Sequence, residues 1–317
     1  MTTNTRQNII AINKETGEII ADITLGEHQE LGVITRATKE QREFLNNNKE
    51  HKSFTSSLNG FVTVLYYNNQ ALFDEKRNPH EKISKANVTR LMMLATYVNY
   101  ENYLIFDPTY NTIEEQLGGV QYMTKKDIQQ ILNLKDTTFK QFFKETTSAK
   151  ILQEDNGKFF LHKGYFYKGS IKEHKNSLEC NYTRIYIDTV RQVYNGSTNK
   201  QHGVLTYVFQ LIPCIHYSTN YLCKDVASSH KEISYMNIQD ISEFLGLSTN
   251  KGSMSRLKKD LMSIHIEYRG EKFYLFNEIE QSNATIRVQR FLVNPLLVTS
   301  MSNMDNIKKT IKKLFIG

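Results

Sequence analysis

An internal repeat constrains the fold of this chain more than any other feature of its sequence. Two helices of similar amphipathic pattern would share isoleucines and leucines by coincidence, whereas a shared Tyr-Met pair and a shared aspartate favour a duplicated unit. A chain of 317 residues has room for two such units, each with a hydrophobic core. Six residues recur with the same displacement of 113 positions: Tyr122, Met123, Asp127, Ile128, Leu132 and Leu134 return as Tyr235, Met236, Asp240, Ile241, Leu245 and Leu247.

In the first copy, the residues that follow this signature predict two helices and a β-hairpin. A short helix begins at Thr124 and ends in a turn, and Asp136 or Thr137 is expected to cap a second helix. The hairpin turns at 155–157, where Asn and Gly suit a tight connection. The second helix is expected to bury three aromatic side chains at helical spacing: Phe139, Phe142 and Phe143.

The second copy predicts the same order of elements. Its short helix covers 240–245, Gly246 supplies the turn, and Ser253 is expected to cap the second helix. Its hairpin turns at 269–270. The buried face of the second helix carries three apolar residues: Met254, Leu257 and Leu261.

Helix, turn, helix and hairpin in this order are typical of a winged helix-turn-helix. In that unit the second helix enters the major groove of DNA, and the hairpin contacts the adjacent backbone or the minor groove. We therefore predict an α+β, mainly helical fold with two tandem winged helix-turn-helix domains and a small N-terminal β-hairpin. The expected segments are the N-terminal hairpin with a polar linker (1–55), a first winged-helix domain (56–175), a second winged-helix domain (176–304) and a basic C-terminal tail (305–317).

The segments outside the repeat are less distinctive. The polar stretch 40–53 suits either a linker or an exposed helix end. A helix is expected before each copy, starting near Ser84 and near Gly203, and Pro213 is expected to kink or end the second of these. The lysines between 306 and 313 lie on a short amphipathic helix that either touches phosphate or forms a frayed, solvated terminus.

DNA recognition requires hydrogen-bond donors and positive charge on the exposed face of each second helix, and both copies have them. A solvated helix face explains any single lysine equally well, but the same pattern in two copies favours DNA binding. We predict DNA contacts at eleven positions: Lys140, Gln141, Lys144, Lys158, Asn250, Lys251, Ser255, Arg256, Lys259, Arg269 and Lys272.

The chemistry of these side chains assigns different roles to them. The guanidinium of Arg256 can donate two hydrogen bonds to O6 and N7 of guanine, and the amide of Gln141 can read adenine in a similar way. Lysines instead suit phosphate oxygens, which position a protein without choosing a sequence. The predicted phosphate contacts are Lys140, Lys144, Lys251 and Lys259.

The composition agrees with a soluble binding protein. Forty basic residues against 33 acidic ones give a net charge of +7, which attracts polyanions without proving that they bind. No apolar run approaches the roughly 20 residues that a membrane-spanning helix needs. The opening sequence MTTNTRQNII lacks the apolar region of a secretory signal, so we expect a cytoplasmic protein without a membrane partner.

No catalytic motif is evident in the sequence. The three cysteines form neither a disulfide framework nor a CxxC pair, and no second Cys/His pair completes a metal site with Cys214 and His216. A GxxxxGK[ST] phosphate-binding loop is absent, as are a nicking-enzyme His motif and a Ser/His/Asp set. We therefore expect a binding protein and not an enzyme, with no metal and no cofactor.

Three stretches in the first half carry a family resemblance: SLNGFVTVLYYNNQALF, YVNYENYLIF and MTKKDIQQILNLKDTTFKQFFKETTSAKILQEDNGKFFLHKGYFYKGSI. They make residues 8–171 similar to the RepL-type replication proteins of Firmicute plasmids and related phage proteins. In that family a winged helix ends in a strand G-x-Y/F-x-I/L and an F-x-K-G element, here 157–161 and 166–169. The resemblance implies DNA binding and origin recognition. The sequence departs from the family at His162-Lys163, where Asn-Pro is usual, and in carrying a second copy.

The leading hypothesis is a sequence-specific double-stranded DNA-binding protein of a mobile element, a plasmid or a phage of an AT-rich bacterium. Two linked modules raise affinity through effective concentration without requiring a dimer, although a homodimer stays open. A role as replication initiator and a role as transcriptional regulator both stay open, because this architecture serves both. The alternative hypothesis is a winged-helix protein-interaction module that binds a host replication or transcription factor.

Overall fold

The fold is described by a computed structural model. The described residues are 7–12, 19–25, 36–65, 83–106, 120–169, 182–199, 201–229, 231–282, 287–299, 301 and 303–315. The chain forms two compact units, Met1–Lys49 and Glu50–Gly317. The predicted domain boundary at 175/176 lies outside the described residues, and both copies of the repeat belong to the second unit.

The fold is mixed α+β, with helices and small antiparallel sheets. The helices within the described residues are α1 (Arg36–Ser56), α2 (Lys85–Ala95), α3 (Lys125–Ile131), α4 (Asp136–Ser148), α5 (Ile187–Asn195), α6 (His202–Leu211), α7 (Ile238–Phe244), α8 (Lys251–Ser263) and α9 (Met304–Leu314). The strands are β1 (Gln7–Ile12), β2 (Ile19–Leu25), β3 (Phe61–Leu65), β4 (Leu152–Asp155), β5 (Lys158–Leu161), β6 (Phe166–Tyr167), β7 (Tyr182–Tyr186), β8 (His265–Tyr268), β9 (Glu271–Tyr274), β10 (Phe276–Ser282) and β11 (Arg287–Val293).

The first unit contains the predicted N-terminal hairpin. Strands β1 and β2 pair antiparallel, with Gln7 opposite Leu25. The predicted turn at 15–18 lies outside the described residues. Helix α1 begins in this unit and continues into the second, so the polar stretch 40–53 is helical and is not an irregular linker.

The second unit is built around a three-stranded antiparallel sheet and a pair of buried helices. The strand order is β6-β3-β7. Helix α2 packs against α6, and the apolar face of α2 is buried as its spacing predicts, from Val88 to Ala95. Helix α6 ends at Leu211, and Pro213 lies in the single 3-10 turn that follows, in agreement with the prediction for this proline.

The repeated aspartates have the same structural role in both copies. Asp127 closes a capping box at the start of α3: the N–H of Thr124 donates to Asp127 Oδ2 at 2.8 Å, and the N–H of Asp127 donates to Thr124 Oγ1 at 3.3 Å. Asp240 and Asn237 make the same box at the start of α7, with both distances at 3.0 Å. These reciprocal bonds satisfy N–H groups that a helix start leaves without a partner. The sequence repeat is therefore also a repeat in structure at these two helix starts.

The turn between the two helices of each copy is also repeated. Asn133 and Gly246 adopt left-handed backbone conformations, with φ of 47° and 66°. The N–H of Leu134 then reaches back to the carbonyl of Gln129 at 3.2 Å, and Leu247 makes the equivalent bond at 2.8 Å. Because glycine and asparagine tolerate this conformation best, they end the first helix at the same point in both copies.

The starts of the two second helices differ from the predictions. Lys135 is the N-cap of α4 and makes no side-chain cap bond, while Asp136 is the first helical residue and accepts a hydrogen bond from Gln129 Nε2 at 2.7 Å. Asn250 caps α8 by accepting from the N–H of Ser253 at 2.8 Å. The predicted caps Asp136, Thr137 and Ser253 are therefore wrong by one to three positions.

The C-terminal segment is part of the folded second unit and is not a frayed tail. Helix α9 begins at Met304 and packs its apolar face into the core, so that Ile307, Ile311 and Phe315 are buried. The N–H of Tyr274 in β9 donates to the carbonyl of Phe315 at 3.1 Å. The predicted domain boundary at 304/305 therefore falls at the start of a packed helix.

Candidate nucleic-acid interface

The second helix of each copy, α4 or α8, has a buried apolar face and an exposed polar face. In α4, Phe139 and Phe142 are buried, and Phe143 is half-buried. In α8, Leu257 and Leu261 are buried. Seven of the predicted contact residues lie on the exposed side of these helices or at their start: Lys140, Gln141, Lys144, Lys251, Ser255, Arg256 and Lys259.

The exposed residues of α4 and α8 occupy equivalent positions. Gln141 is the sixth residue of α4, and Arg256 is the sixth residue of α8. Lys144 and Lys259 are both the ninth residue of their helix, and Lys140 corresponds in the same way to Ser255. Lysine therefore stands at the ninth position in both copies, while the fifth and sixth positions differ.

Glu145 fixes α4 to the start of α2. Its Oε2 accepts from the N–H of Ser84 at 3.1 Å and from Asn87 Nδ2 at 2.6 Å, while its Oε1 accepts from Gln141 Nε2 at 3.0 Å. Burial raises the pKa of the Glu145 carboxyl, but these hydrogen bonds outweigh burial and hold the pKa below its ordinary value. Gln141 donates one amide proton within α4 and keeps its carbonyl oxygen and a second amide proton for a ligand.

Asn250 has a structural role that the sequence did not reveal. Its side-chain Oδ1 caps α8, and its Nδ2 donates to Ser248 Oγ at 2.8 Å. The side chain is exposed but its polar atoms are engaged. Lys251, which follows it, is exposed at the first position of α8. Of the two residues predicted in this turn, Lys251 is therefore the better placed to reach a ligand.

The hairpin β4–β5 of the first copy is held against an aromatic pair. Lys158 Nζ lies 4.0 Å from the ring centroid of Tyr122 and 6.0 Å from that of Tyr103. The Tyr103 hydroxyl donates to Asp155 Oδ2 at 3.3 Å. Lys158 is half-buried, while Glu154 and Asp155 near the tip of the hairpin are exposed. This hairpin therefore presents negative as well as positive charge.

In the second copy, β10–β11 takes the place that β4–β5 has in the first. In the first copy, the N–H of His162, just after β5, donates to the carbonyl of Ile151 at 2.8 Å. In the second, the N–H of Asn294, just after β11, donates to the carbonyl of Leu275 at 2.8 Å. Lys258 of α8 also pairs with Glu278 of β10. The hairpin β8–β9, which the sequence assigned to this place, is an additional one.

The equivalent of Lys158 is therefore Arg290, which the sequence reasoning missed. The Arg290 guanidinium lies 4.2 Å from the ring centroid of Tyr235, as Lys158 lies over Tyr122. Tyr235 meets Tyr221 edge to face, with ring centroids 5.2 Å apart. Asn294 and Pro295 follow β11 at the positions that His162 and Lys163 occupy after β5.

Arg269 and Lys272 lie on the additional hairpin, where β8–β9 meets α9. Both are exposed. A groove of about 460 Å³ lies here, and Arg269, Lys308 and Lys312 are among the residues that line it. Lys308 Nζ pairs with Glu50 Oε2 at 2.7 Å. The hairpin carries exposed Glu267 and Glu271 beside Arg269 and Lys272, so its charges balance. It forms where the sequence predicted a hairpin, with its turn at 269–270, but β10–β11 is the hairpin equivalent to β4–β5.

Other kinds of site find little support in the described part of the chain. No cluster of His, Cys, Asp and Glu among these residues could hold a metal ion. His216 is buried, and its Nε2 lies 2.9 Å from the carbonyl of Ser228. None of the described helices is both long and apolar enough to cross a membrane. No protein-family model matches this sequence, and no curated protein or solved structure is significantly similar to it.

Proposed function

We propose that this chain is a sequence-specific double-stranded DNA-binding protein whose two copies are winged helix-turn-helix modules. The observation that carries the proposal is the pair α4 and α8, each of which exposes a residue able to hydrogen-bond a base edge at its sixth position and a lysine at its ninth. In the proposed complex these helices enter the major groove, and β4–β5 and β10–β11 lie along the adjacent backbone. The side chains divide into base readers, Gln141 and Arg256, and phosphate contacts, Lys144 and Lys259.

The biological role that we propose is replication initiation or transcriptional control on a plasmid or phage. The resemblance of residues 8–171 to RepL-type proteins favours initiation at an origin. The Asn-Pro after β11 adds to it, because the second copy carries the pair that the first copy lacks. An origin and a promoter are distinguished by where on the replicon the protein binds.

A mobility-shift titration against fragments of the chain's own replicon tests the proposal. We expect one or a few fragments to bind far more tightly than competitor DNA, with an affinity that falls steeply as salt rises. Equal affinity for all fragments, or no dependence on salt, would contradict it. Stable capture of a host protein from nuclease-treated lysate, with no DNA retained, would instead favour the protein-interaction alternative.

Three single substitutions sharpen this test. Arg256→Ala removes a base contact, so the preferred fragment should lose roughly ten-fold in affinity while competitor DNA changes little. Lys259→Ala removes a phosphate contact and should weaken all fragments alike. Lys39→Ala is the matched control, because Lys39 is an exposed lysine of α1 outside the repeat. Equal effects of all three would contradict the assigned roles.

A further inference from the structure

The two copies contact each other through equivalent residues of α2 and α6. The hydroxyl oxygens of Thr89 and Thr206 lie 2.8 Å apart. Thr89 Oγ1 donates to the carbonyl of His202 at 2.9 Å, and Thr206 Oγ1 donates to the carbonyl of Lys85. Lys85 and His202 each stand four residues before the threonine of their own helix. Each helix therefore gives the contact that it receives, which is the mark of a two-fold relation.

Strands β3 and β7 are a second pair of equivalent elements. The N–H of Leu65, at the end of β3, donates to the carbonyl of Tyr165 at 3.0 Å. The N–H of Tyr186, at the end of β7, donates to the carbonyl of Leu297 at 3.1 Å. Val64 then pairs with Phe166 in β6, as Ile185 pairs with Val298. Both strands thus receive the chain that returns from their own hairpin.

The pairing of β3 with β7 has the same two-fold character. The strands are antiparallel, and the central position of one lies opposite the central position of the other. Exchanging the two strands leaves this register unchanged, so a two-fold axis passes between their centres. The paired positions are Phe61 with Tyr186, Val62 with Ile185, Thr63 with Arg184, Val64 with Thr183 and Leu65 with Tyr182.

The second helices are fixed to these symmetric elements. Glu145 ties α4 to the start of α2 through Ser84 and Asn87, and α8 packs against α6. Because each second helix contacts its own member of the symmetric helix pair, the rotation that carries α2 onto α6 and β3 onto β7 is expected to carry α4 onto α8 as well. Gln141 and Arg256 become symmetry-related positions, as do Lys144 and Lys259.

We propose that the DNA target is an inverted pair of unlike half-sites, an inference that rests on the proposed function. Two recognition helices related by a two-fold axis read half-sites that run in opposite directions, with centres about 10 base pairs or a whole multiple of this apart. Because the helices differ in sequence, the two halves differ as well. Gln141 reads an adenine in one half, and Arg256 reads a guanine at the symmetry-related position of the other.

Selection of bound duplexes from a randomised pool, followed by rebuilding of the selected site, tests this geometry. We expect an inverted pair of related but unequal halves. Reversing one half to make a direct repeat of unchanged spacing should lower affinity about ten-fold or more, since the contacts of that half are lost. Inserting about 5 base pairs, half a helical turn, should do the same because it moves one half to the opposite face of the duplex.

Reciprocal substitutions test the base assignment. Gln141→Arg should make the selected site more symmetric, with guanine in both halves, and Arg256→Gln should place adenine in both. Lys144→Ala and Lys259→Ala are matched controls that should weaken binding without changing the selected bases. Thermal unfolding of each variant checks that the fold is kept.

The outcomes separate the inference from the proposed function. A selected site that is a direct repeat, or one that tolerates reversal of a half, would overturn the two-fold geometry while leaving DNA binding intact. Selected bases that do not respond to either reciprocal substitution would overturn the base assignment. Failure to select any sequence, with no DNA retained by the full chain, would overturn the proposed function itself.

Discussion

Asn102 and Asn220 make the same pair of hydrogen bonds in the two copies. Both side chains are fully buried, and both residues have left-handed backbone conformations, with φ of 72° and 59°. Each side-chain amide donates to the last strand of its hairpin, β5 or β11, and to the following segment that pairs with the central sheet. The acceptors are the carbonyls of Leu161 and Phe166 for Asn102, at 3.0 and 2.6 Å, and of Val293 and Val298 for Asn220, at 3.2 and 2.7 Å.

These paired hydrogen bonds predict that substitution of either asparagine lowers the stability of the fold by a large and similar amount. Asn102→Ala or Asn220→Ala removes the donor to two buried carbonyls and places alanine at a positive φ. We expect the free energy of unfolding to fall by about 2–4 kcal/mol. Urea unfolding followed by circular dichroism measures this. Asn→Gly at the same positions keeps the backbone conformation accessible, so a glycine variant as stable as the wild type would show that the amide bonds contribute nothing.

The Glu145 carboxylate predicts a dependence of stability on acid pH. Its pKa in the folded protein lies below the ordinary value of 4.5, because bonds from Ser84, Asn87 and Gln141 outweigh burial, so its contribution is complete above that value. The contribution is lost as the pH falls through the lower folded-state pKa, since the unfolded chain takes up the proton first. Glu145→Gln should flatten this part of the pH profile of urea unfolding. A profile that matches the wild type would contradict the role of this carboxylate.

His202 predicts a second dependence on pH, nearer neutrality. Its side chain is buried and stacks on Tyr194 with ring centroids 4.2 Å apart, and burial, together with the charge of Arg90, lowers its pKa from 6.5. The contribution of the neutral His202 side chain to the free energy of unfolding is therefore complete above pH 6.5. It is lost as the pH falls, by at most about 1.4 kcal/mol per pH unit for one proton. His202→Phe keeps the stack but does not titrate. Urea unfolding between pH 5 and 8 should show the loss in the wild type alone.

Helix α9 predicts that the C-terminal segment stabilises the second unit. Phe315 is 1% exposed, and its carbonyl accepts from the N–H of Tyr274 in the additional hairpin. Phe315→Ala leaves a cavity between α9 and that hairpin, and it should lower the free energy of unfolding by about 3–5 kcal/mol. Lys313→Ala, at an exposed position of the same helix, is the control and should change stability by less than about 0.5 kcal/mol. Thermal melts of the two variants distinguish a packed helix from a frayed one.

Local signals predicted the helix pair of each copy, and long-range contacts decided what the sequence could not show. Thr124 and Asp127 lie within one turn, and the spacing of Phe139 and Phe142 is that of a single helix face, so both are readable from neighbouring residues. Two hairpins follow α8, and long-range contacts such as that of Asn220 with β11 show which of them is equivalent to β4–β5. The turn and strand pattern of a hairpin does not show which distant residue the hairpin will contact.

Helix α5 was missed for a related reason. It follows β7 without a break, and its N-cap, Tyr186, makes no side-chain cap bond that a sequence pattern would reveal. Its stability comes from packing, since Val190, Val193 and Tyr194 are buried and Tyr194 donates to the carbonyl of Leu132 in the first copy at 2.9 Å. Short helices of this kind depend on tertiary contacts more than on their own propensity.

The equivalent lysines of α4 and α8 predict equal contributions to the salt dependence of DNA binding. Lys144 and Lys259 are exposed at the ninth position of their helices, where each would neutralise one phosphate. Lys144→Ala or Lys259→Ala should lower the slope of log affinity against log salt by about 1, and the double variant by about 2. Fluorescence anisotropy titrations over a range of salt concentrations measure the slopes. If only one of the two substitutions changes the slope, only one helix lies against DNA, and the inverted pair of half-sites is contradicted with it.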